Sequence, residues 1–329
     1  MLDEVLNVST DAARPRPPDT EPVAMEILEV APAGAGPSLA LHGGAGGRVP
    51  ELAGAAARAP YERGLLAAYR AGWQVLAGGG EALDAVCAAV QVLEDDPLFN
   101  AGRGAALTAA GHAELDASVM AGSGRAGAVA AAKYARNPVR LARAIMEHTE
   151  HVLIVDPDAE FTGRHGLEVA GPDYFITGPR RQQLDRVLAG RAAAARHGTV
   201  GATARDARGL LAAATSTGGM TGQAEGRVGD SPIVGAGIYA RDGVVAISCT
   251  GDGEAFIRGV VAYDVAARMR YAGTGLADSI RATFAAELTQ RDATGGLVAV
   301  GADGRLVVAH NSPAMFSARG TGPEPALTT

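Results

Sequence analysis

The stretch RHGTVGATARD, residues 196–206, marks the point where a helical pattern changes to a strand pattern. The residues before it are rich in alanine and end at a glycine, which is a typical helix stop. From Thr199 onward the sequence is small and β-prone, so we expect a strand to open on that threonine. This change from helix to strand, at the corner His197-Gly198-Thr199, is compatible with an ordinary loop. It is also compatible with a site at which the protein cleaves its own Gly198–Thr199 bond.

Three hairpins are predicted downstream of this corner. Apolar runs rich in valine and alanine are separated by turn residues near 206–209, at Asp242-Gly243 and at Asp303-Gly304. Strands of this composition are typical of sheets buried on both faces. Helices are expected at about residues 253–272 and 276–290.

Upstream of the corner, strands and helices are predicted in consecutive groups. They are a strand at 38–47, helices at 60–77 and from Leu83 to Leu93, strands at 113–121 and 126–134, a helix at 137–148, a strand at 151–156, and a polar connection at 157–198 with a helix near 180–196. Because helices do not follow every strand, the order disfavours a Rossmann fold. It favours an α+β fold with two antiparallel sheets face to face and helices outside them.

Composition limits the class of protein. The 329 residues are 47% apolar and carry a formal net charge of −7, without the clustered basic face that nucleic-acid binding requires. No run approaches 18 apolar residues, so we expect no membrane span. Cys87 and Cys249 lack a CxxC partner and lie in apolar patterns, which indicates reduced core thiols and a cytoplasmic location.

The first 37 residues differ from the rest of the chain. Prolines are frequent in residues 15–22. The sequence lacks a basic segment followed by an apolar stretch, which is the pattern that would indicate a signal peptide. We therefore expect residues 1–37 to be a disordered N-terminal extension and residues 38–329 to be a single domain.

Several common catalytic motifs are missing or incomplete. LHGGAGG (41–47) has no Lys-Ser/Thr after its glycines, so it does not predict a phosphate loop, and no GxSxG elbow is present. His148 and His151 lie three residues apart without a third ligand pattern, so a helix end followed by a strand explains them better than zinc.

Hydroxyl and charged groups remain as candidates for chemistry. Arg227 and Asp230 could bind the carboxylate and ammonium of an α-amino acid, although a surface salt bridge in a turn explains the same spacing. Thr250-Gly251 ends a strand before a helix and could form an oxyanion hole or simply cap that helix. If the bond before Thr199 is cut, its new α-amine, with a pKa of about 8, can act as the base for its own hydroxyl.

An ordered set of segments resembles the plant-type L-asparaginase/isoaspartyl peptidase family, whose members are N-terminal-nucleophile hydrolases. The resemblance covers residues 38–318 and is carried by LHGGAGG (41–47), ALDAV (82–86), PLFNAGRGAALTAAGHAELDASVM (97–120), NPVRLAR (137–143), HGTVGA (197–202), TSTGGMTG (215–222), GRVGDSPIVGAG (226–237) and CTGDGE (249–254). It implies a four-layer αββα sandwich and self-cleavage into an α chain of 1–198 and a β chain of 199–329, with a homodimer of processed units.

The resemblance also implies roles for residues at matching positions. Thr199 is the nucleophile, Thr217 orients it, Thr250 and the Gly251 N–H form the oxyanion hole, and Asn100 lies near the reacting centre. Substrate is bound by the segments Arg227, Val228, Gly229, Asp230 and Thr250, Gly251, Asp252, Gly253. A structural sodium ion is held by backbone carbonyls of Leu93, Glu94, Asp96, Phe99, Ala101 and Arg103, and no organic cofactor is implied.

Four features depart from the family pattern. Thr203 and Arg205 stand where apolar residues are usual, and a buried Arg205 needs a partner. Asp252 places a carboxylate beside the substrate's anionic end, which could weaken binding. AHNSPAMFSA (309–318) also differs, which leaves the far wall of the pocket undefined.

The sequence therefore predicts an autoprocessing amidohydrolase that acts on L-asparagine, on β-aspartyl dipeptides, or on both. Two alternatives stay open: a glycosylasparaginase-type amidase, and an unprocessed, catalytically silent relative that binds amino acids.

Overall fold

The computed structural model describes residues 24–31, 34, 36–46, 54–190 and 198–329. Within these ranges the chain forms thirteen strands in two sheets. They are β1 (Glu26–Val30), β2 (Ser38–Gly46), β3 (Leu115–Ala121), β4 (Ala126–Ala132), β5 (Leu153–Val155), β6 (Val200–Arg205), β7 (Leu211–Thr217), β8 (Ile238–Arg241), β9 (Val245–Gly251), β10 (Gly295–Gly301), β11 (Leu306–His310), β12 (Ala314–Gly320) and β13 (Ala326–Thr328).

Helices occupy the segments between groups of strands. They are α1 (Ala55–Ala77), α2 (Ala82–Asp95), α3 (Pro138–His148), α4 (Ala159–Arg164), α5 (Gly178–Leu188), α6 (Gly253–Gly259), α7 (Val261–Ala267) and α8 (Leu276–Thr283), with π-helical turns at Arg268–Ala272 and Phe284–Leu288. The fold is therefore mixed α and β, with two sheets and helices, as predicted.

The two sheets have the orders β1-β11-β10-β9-β8 and β13-β12-β2-β6-β7-β3-β4-β5. The three predicted hairpins, β6–β7, β8–β9 and β10–β11, all form with antiparallel pairing. β5 pairs with β4 in parallel. Because β6 and β9 lie inside their sheets, Thr199 and Thr250, at or near the ends of these strands, are carried by well-supported backbone.

Alternate residues of one strand serve two cores, as the two-residue period of a strand requires. Leu39 and Leu41 of β2 pack with the apolar faces of α1 and α2. Ala40, between them, packs with residues of the other sheet such as Ile247 and Val298. Small side chains on this inner face let the two sheets approach closely, so that groups of both sheets contact one another, as Ala45 and Thr250 do.

The N-terminal boundary differs from the prediction. Glu26–Val30, inside the range expected to be disordered, forms β1 and pairs with β11 from Glu26↔His310 to Val30↔Leu306. This edge strand is only partly buried, so its sequence lacks the apolar alternation of an inner strand. Residues 1–23 lie outside the described residues.

Other elements also differ from the sequence prediction. The helix expected near 180–196 is α5, and residues 191–197 lie outside the described residues. The helix expected at 253–272 is broken where Val260 adopts a left-handed conformation, with φ of 45°. β12 begins within the divergent segment 309–318 and β13 follows that segment, and neither strand was predicted. None of the helices described is long and apolar enough to cross a membrane.

Candidate active site

Thr199 lies immediately before β6 and is 7% exposed. The pairing of Val200 with Ser216 in the β6–β7 hairpin, continued by one residue, sets Thr199 opposite Thr217. The Thr199 hydroxyl also lies 3.4 Å from the hydroxyl of Ser231, which is fully buried. Strand register therefore brings the predicted nucleophile and its predicted orienting residue together.

A glycine-rich segment of β2 contacts the Gly198–Thr199 junction. Gly44 has a φ of 113°, and a Cβ on it would lie 2.4 Å from the Gly198 Cα, so only glycine allows this approach. The next residue, Ala45, donates its N–H to the Thr250 hydroxyl over 3.3 Å. Gly44 and Ala45 thus link the junction to Thr250, the predicted oxyanion residue.

Asn100 and Thr217 belong to one hydrogen-bonded turn. The Asn100 side chain donates to the Gly219 carbonyl over 2.7 Å and accepts from the Ala106 N–H over 2.6 Å. The Gly219 N–H donates to the Thr217 hydroxyl over 3.0 Å. Asn100 also lies close to Gly198, since a Cβ on that glycine would be 3.8 Å from the Asn100 Cβ.

Gly251 ends β9 with a φ of 143°, where its backbone packs directly against Gly295. Asp252 follows at the start of α6 and accepts the Thr294 N–H at Oδ2 over 2.9 Å. This bond ties α6 to β10. One carboxylate oxygen of Asp252 therefore has a structural partner that the sequence did not reveal.

Arg227 lies in the loop between β7 and β8 and is 16% exposed in its side chain. Its guanidinium donates to both carboxylate oxygens of Glu254 over 3.0–3.1 Å and to the Gln223 side chain over 3.3 Å. The salt bridge described for Arg227 is therefore made with Glu254 of α6, and not with Asp230 in the same turn as the sequence allowed.

Asp230 is 3% exposed, and its Oδ2 has no hydrogen-bond partner among the described residues. Burial raises the pKa of Asp230 to about 7, while the Arg227 charge acts in the opposite direction. A Cβ on Gly253 would lie 3.0 Å from both Arg227 Nη2 and Asp230 Oδ1, so the two charged groups converge at this glycine. Oδ1 of Asp230 therefore lies beside the Arg227 guanidinium at Gly253, whereas the buried Oδ2 packs against Gly237, where a Cβ would lie 2.8 Å from it.

Asp116 of β3 forms a hydrogen bond to the loop that contains Arg227, Val228, Gly229 and Asp230. Its Oδ2 accepts the Gly229 N–H over 3.2 Å and its Oδ1 accepts the Ala131 N–H over 2.9 Å. Burial raises the pKa of Asp116 to about 6. Asp116 lies in the segment 97–120 that resembles the asparaginase family, but no role was predicted for this residue.

The predicted sodium loop follows the C-terminus of α2, where free backbone carbonyls favour a cation. Gly102, with a φ of 49°, packs against the Glu94 carbonyl, because a Cβ there would lie 2.4 Å from that oxygen. Gly104 packs still more closely against the Phe99 carbonyl, since a Cβ there would lie 2.0 Å from that oxygen. Two other carbonyls of the predicted set, those of Asp96 and Ala101, accept the N–H groups of Phe99 and Gly104 over 3.2 and 3.1 Å. The loop therefore presents oxygen atoms, the ligand type that a hard cation prefers, and the sodium ion stays a prediction.

The Glu94 side chain has a separate role. It accepts from the Ser216 hydroxyl over 2.6 Å and from the Val139 N–H over 2.9 Å, and burial raises its pKa to about 8. The carboxyl therefore connects the end of α2 to α3 and to the strand that carries Thr217.

A buried polar chain crosses between the sheets beneath β6. His42 Nε2 lies 2.9 Å from the Ser248 hydroxyl, which lies 2.8 Å from the Thr215 hydroxyl. Burial lowers the pKa of His42 to about 3, so the imidazole is neutral at physiological pH. Gly201 passes directly over this chain, and a Cβ there would clash with Ser248 Oγ at 1.9 Å.

The two departures on β6 have different environments. Arg205 is half-buried and donates to the carbonyls of Ala302 and Gly36 over 2.9 and 2.8 Å, so it has the partners that burial demands. Thr203 is fully buried, and its hydroxyl has no hydrogen-bond partner among the described residues.

These features define a candidate hydrolase site: a buried threonine at a strand start, further hydroxyls around it, and an arginine and an aspartate that converge at Gly253. Comparison with known proteins agrees with this class. Residues 35–327 match the profile of the asparaginase family, and the chain belongs to that family.

Curated relatives cover most of the chain. An isoaspartyl peptidase from Salmonella typhimurium is 45% identical over 298 residues, which are 86% of this chain and 94% of that protein. An isoaspartyl peptidase from Escherichia coli is 43% identical, with 86% of this chain and 92% of that protein covered. An isoaspartyl peptidase/L-asparaginase from Bos taurus is 36% identical over 85% of this chain and 91% of its own length.

Proposed function

We propose that this protein is an autoprocessing amidohydrolase that acts on L-asparagine and on β-aspartyl dipeptides. One observation carries the proposal. The Arg227 guanidinium and Oδ1 of the buried Asp230 converge at Gly253, and the next residue, Ser231, places its hydroxyl 3.4 Å from the hydroxyl of Thr199. An α-carboxylate and an α-ammonium satisfy both charged groups, which leaves the substrate side chain to reach the threonine.

The first step is cleavage of the chain itself. The Thr199 hydroxyl attacks the Gly198 carbonyl, the peptide C–N bond breaks in an N-to-O acyl shift, and water hydrolyses the ester. This frees the Thr199 α-amine and yields chains of 1–198 and 199–329. The left-handed Gly198, with a φ of 91° and packed against Gly44, presents a carbonyl without side-chain obstruction.

Substrate hydrolysis repeats this chemistry on a β-carbonyl. The free α-amine takes the proton as Thr199 Oγ attacks, and ammonia or a peptide amine leaves with that proton. Water then hydrolyses the β-aspartyl ester and releases aspartate. No histidine is needed, which agrees with a neutral, buried His42.

The surrounding groups support the tetrahedral intermediates. The Thr250 hydroxyl and the Gly251 N–H stabilise the oxyanion. Thr217, fixed by the Gly219 N–H, orients Thr199, and Asn100 holds this turn against the junction. The reaction requires no organic cofactor.

The larger assembly follows the same proposal. Two facing sheets with helices are interpreted as the αββα sandwich of N-terminal-nucleophile hydrolases. The carbonyls of Leu93, Glu94, Asp96, Phe99, Ala101 and Arg103 would hold a structural sodium ion that stiffens the loop before Asn100. We also propose a homodimer of processed units and a cytoplasmic location.

Intact mass and denaturing gel electrophoresis after prolonged incubation test the proposal, together with ammonia release from asparagine and aspartate release from β-aspartyl dipeptides. We expect two chains, the smaller one beginning at Thr199, and activity that depends on cleavage. T199A is the matched control and should remain a single inactive chain. A persistent single chain in the natural protein would favour the silent relative, and activity on glycosylated asparagine alone would favour the glycosylasparaginase alternative.

A further inference from the structure

The guanidinium of Arg227 is already held along one edge. Nε donates to Glu254 Oε1 over 3.1 Å, and Nη2 donates to the two oxygens of Glu254 over 3.0 and 3.1 Å. This side-on arrangement uses the Nε and Nη2 edge of the planar fork. Glu254 lies in the first turn of α6, two residues after the Asp252 bond to β10.

A second contact reaches the guanidinium from the loop that supports the nucleophile. Gln223 is 6% exposed, and its side-chain oxygen accepts from Arg227 Nη1 over 3.3 Å and from the Met220 N–H over 2.9 Å. Met220 follows Gly219, whose N–H bonds the Thr217 hydroxyl. The orientation of Arg227 is therefore tied to the turn that carries Thr217.

An arginine has five N–H donors in a fixed geometry, and the hydrogen bonds to Glu254 and Gln223 engage Nε, Nη2 and one N–H of Nη1, which leaves at least one donor of Nη1 at the end-on edge. Nη2 and Asp230 Oδ1 both converge on Gly253, where a Cβ would lie 3.0 Å from each. A second carboxylate approaching end-on would thus carry an adjacent ammonium towards Asp230. The geometry allows Arg227 to hold Glu254 and substrate at the same time.

We propose that Glu254 is a positioning residue for substrate binding, which acts through Arg227. It holds the guanidinium side-on so that the end-on edge receives the substrate α-carboxylate, with Gln223 as the second support. Glu254 stays bonded when substrate binds, in contrast to a competitor that substrate must displace. This inference rests on the proposed function.

The variant E254Q tests the proposal in the processed enzyme. A neutral amide offers one weaker acceptor in place of two charged ones, so Arg227 loses its fixed orientation. We expect KM for asparagine to rise by about tenfold or more, with kcat changed by less than about threefold. E160Q, which removes an exposed glutamate from an ion pair with Arg164, is the matched control and should not change KM.

Two further measurements separate the possible outcomes. In a double-mutant cycle with R227Q, E254Q should lower the affinity for aspartate much less than it does when Arg227 is present, because the positioning effect of Glu254 passes through that arginine. A lower KM in E254Q would identify Glu254 as a displaced competitor, and an unchanged KM would show that it has no positioning role; either result overturns the inference. If the natural protein hydrolyses neither substrate class, the proposed function itself fails, whatever E254Q does.

Discussion

Thr199 and Thr217 are positioned by strand register, whereas Arg227 and Asp230 lie in a loop and are positioned by side-chain contacts. The first pair needs only the β6–β7 hairpin to form. The second pair depends on partners from β3, α6 and the same loop, namely Asp116, Glu254 and Gln223. We call the two regions the nucleophile corner and the clamp loop.

The electrostatics of the two regions also differ. Groups at the nucleophile corner are neutral hydroxyls with ordinary hydrogen bonds. The clamp loop buries two carboxyls whose pKa values are raised by desolvation, Asp116 to about 6 and Asp230 to about 7. A charge kept in an unfavourable environment destabilises the folded protein until a ligand compensates it. Substitutions that remove a buried carboxylate from the clamp loop should therefore lower activity and raise the free energy of unfolding. Substitutions at the nucleophile corner should lower activity without this gain in stability.

The largest effect that tests this contrast is expected for D230N. Loss of the partner for the substrate ammonium should lower kcat/KM by about 10²–10³-fold. The same change should stabilise the protein at pH 8 by roughly 1–4 kcal/mol, since it removes a buried carboxylate. Steady-state kinetics and thermal unfolding measure the two effects.

The sign follows from linkage. The pKa of Asp230 is higher in the folded state, so its ionisation costs stability progressively as pH rises from about 4 to about 7, and the cost is constant above that. The stabilisation by D230N should therefore shrink at pH 5. D278N, at an exposed position paired with Arg281, is the control. Equal effects on unfolding at both pH values would show that Asp230 is not a destabilised carboxylate.

The ionisation of Asp230 should also appear in the pH dependence of ligand affinity, with a smaller effect than that of D230N on kcat/KM. Calorimetry with aspartate should give an affinity that falls, by up to about tenfold per pH unit, as pH decreases below about 7, because protonated Asp230 cannot pair with an ammonium. Arg227, Glu254 and Asp116 are the other charges that act on this carboxyl. Succinate, which lacks the ammonium, should not lose affinity over this range, and parallel curves for the two ligands would contradict the assignment.

A modest effect is expected at the nucleophile corner for S231A. The Ser231 hydroxyl lies 3.4 Å from the Thr199 hydroxyl and contacts no group of the clamp among the hydrogen bonds described. Because 3.4 Å is longer than an ordinary O–H···O hydrogen bond, S231A should lower kcat by only about two- to threefold, with KM unchanged. S279A, which removes a buried hydroxyl from α8, is the control. A larger effect on KM than on kcat would show that Ser231 contributes to substrate binding with the clamp loop and not to the nucleophile corner.

The sequence could predict the two regions to different extents. Hairpin patterns and the family resemblance indicated Thr199, Thr217, Arg227 and Asp230, and the structure brings each pair together. It could not identify Glu254 as the partner of Arg227, because 26 intervening residues include two strands and only their packing creates the contact. Ser231 and Asp116 lie in recognised segments, but nothing in their spacing distinguishes them from structural residues.

The smallest effect on activity is expected for a substitution of Thr203, which serves as a control for the nucleophile corner. It lies on β6 four residues after Thr199, so both side chains face the same side of the strand. Its hydroxyl is buried without a partner in the described part of the chain, and valine has nearly the same shape. T203V should therefore raise the free energy of unfolding by about 1 kcal/mol and leave cleavage and kcat unchanged. If T203V slowed cleavage while T199A behaved as expected, register alone would not position the nucleophile, and the polar lining of β6 would have to be part of the corner.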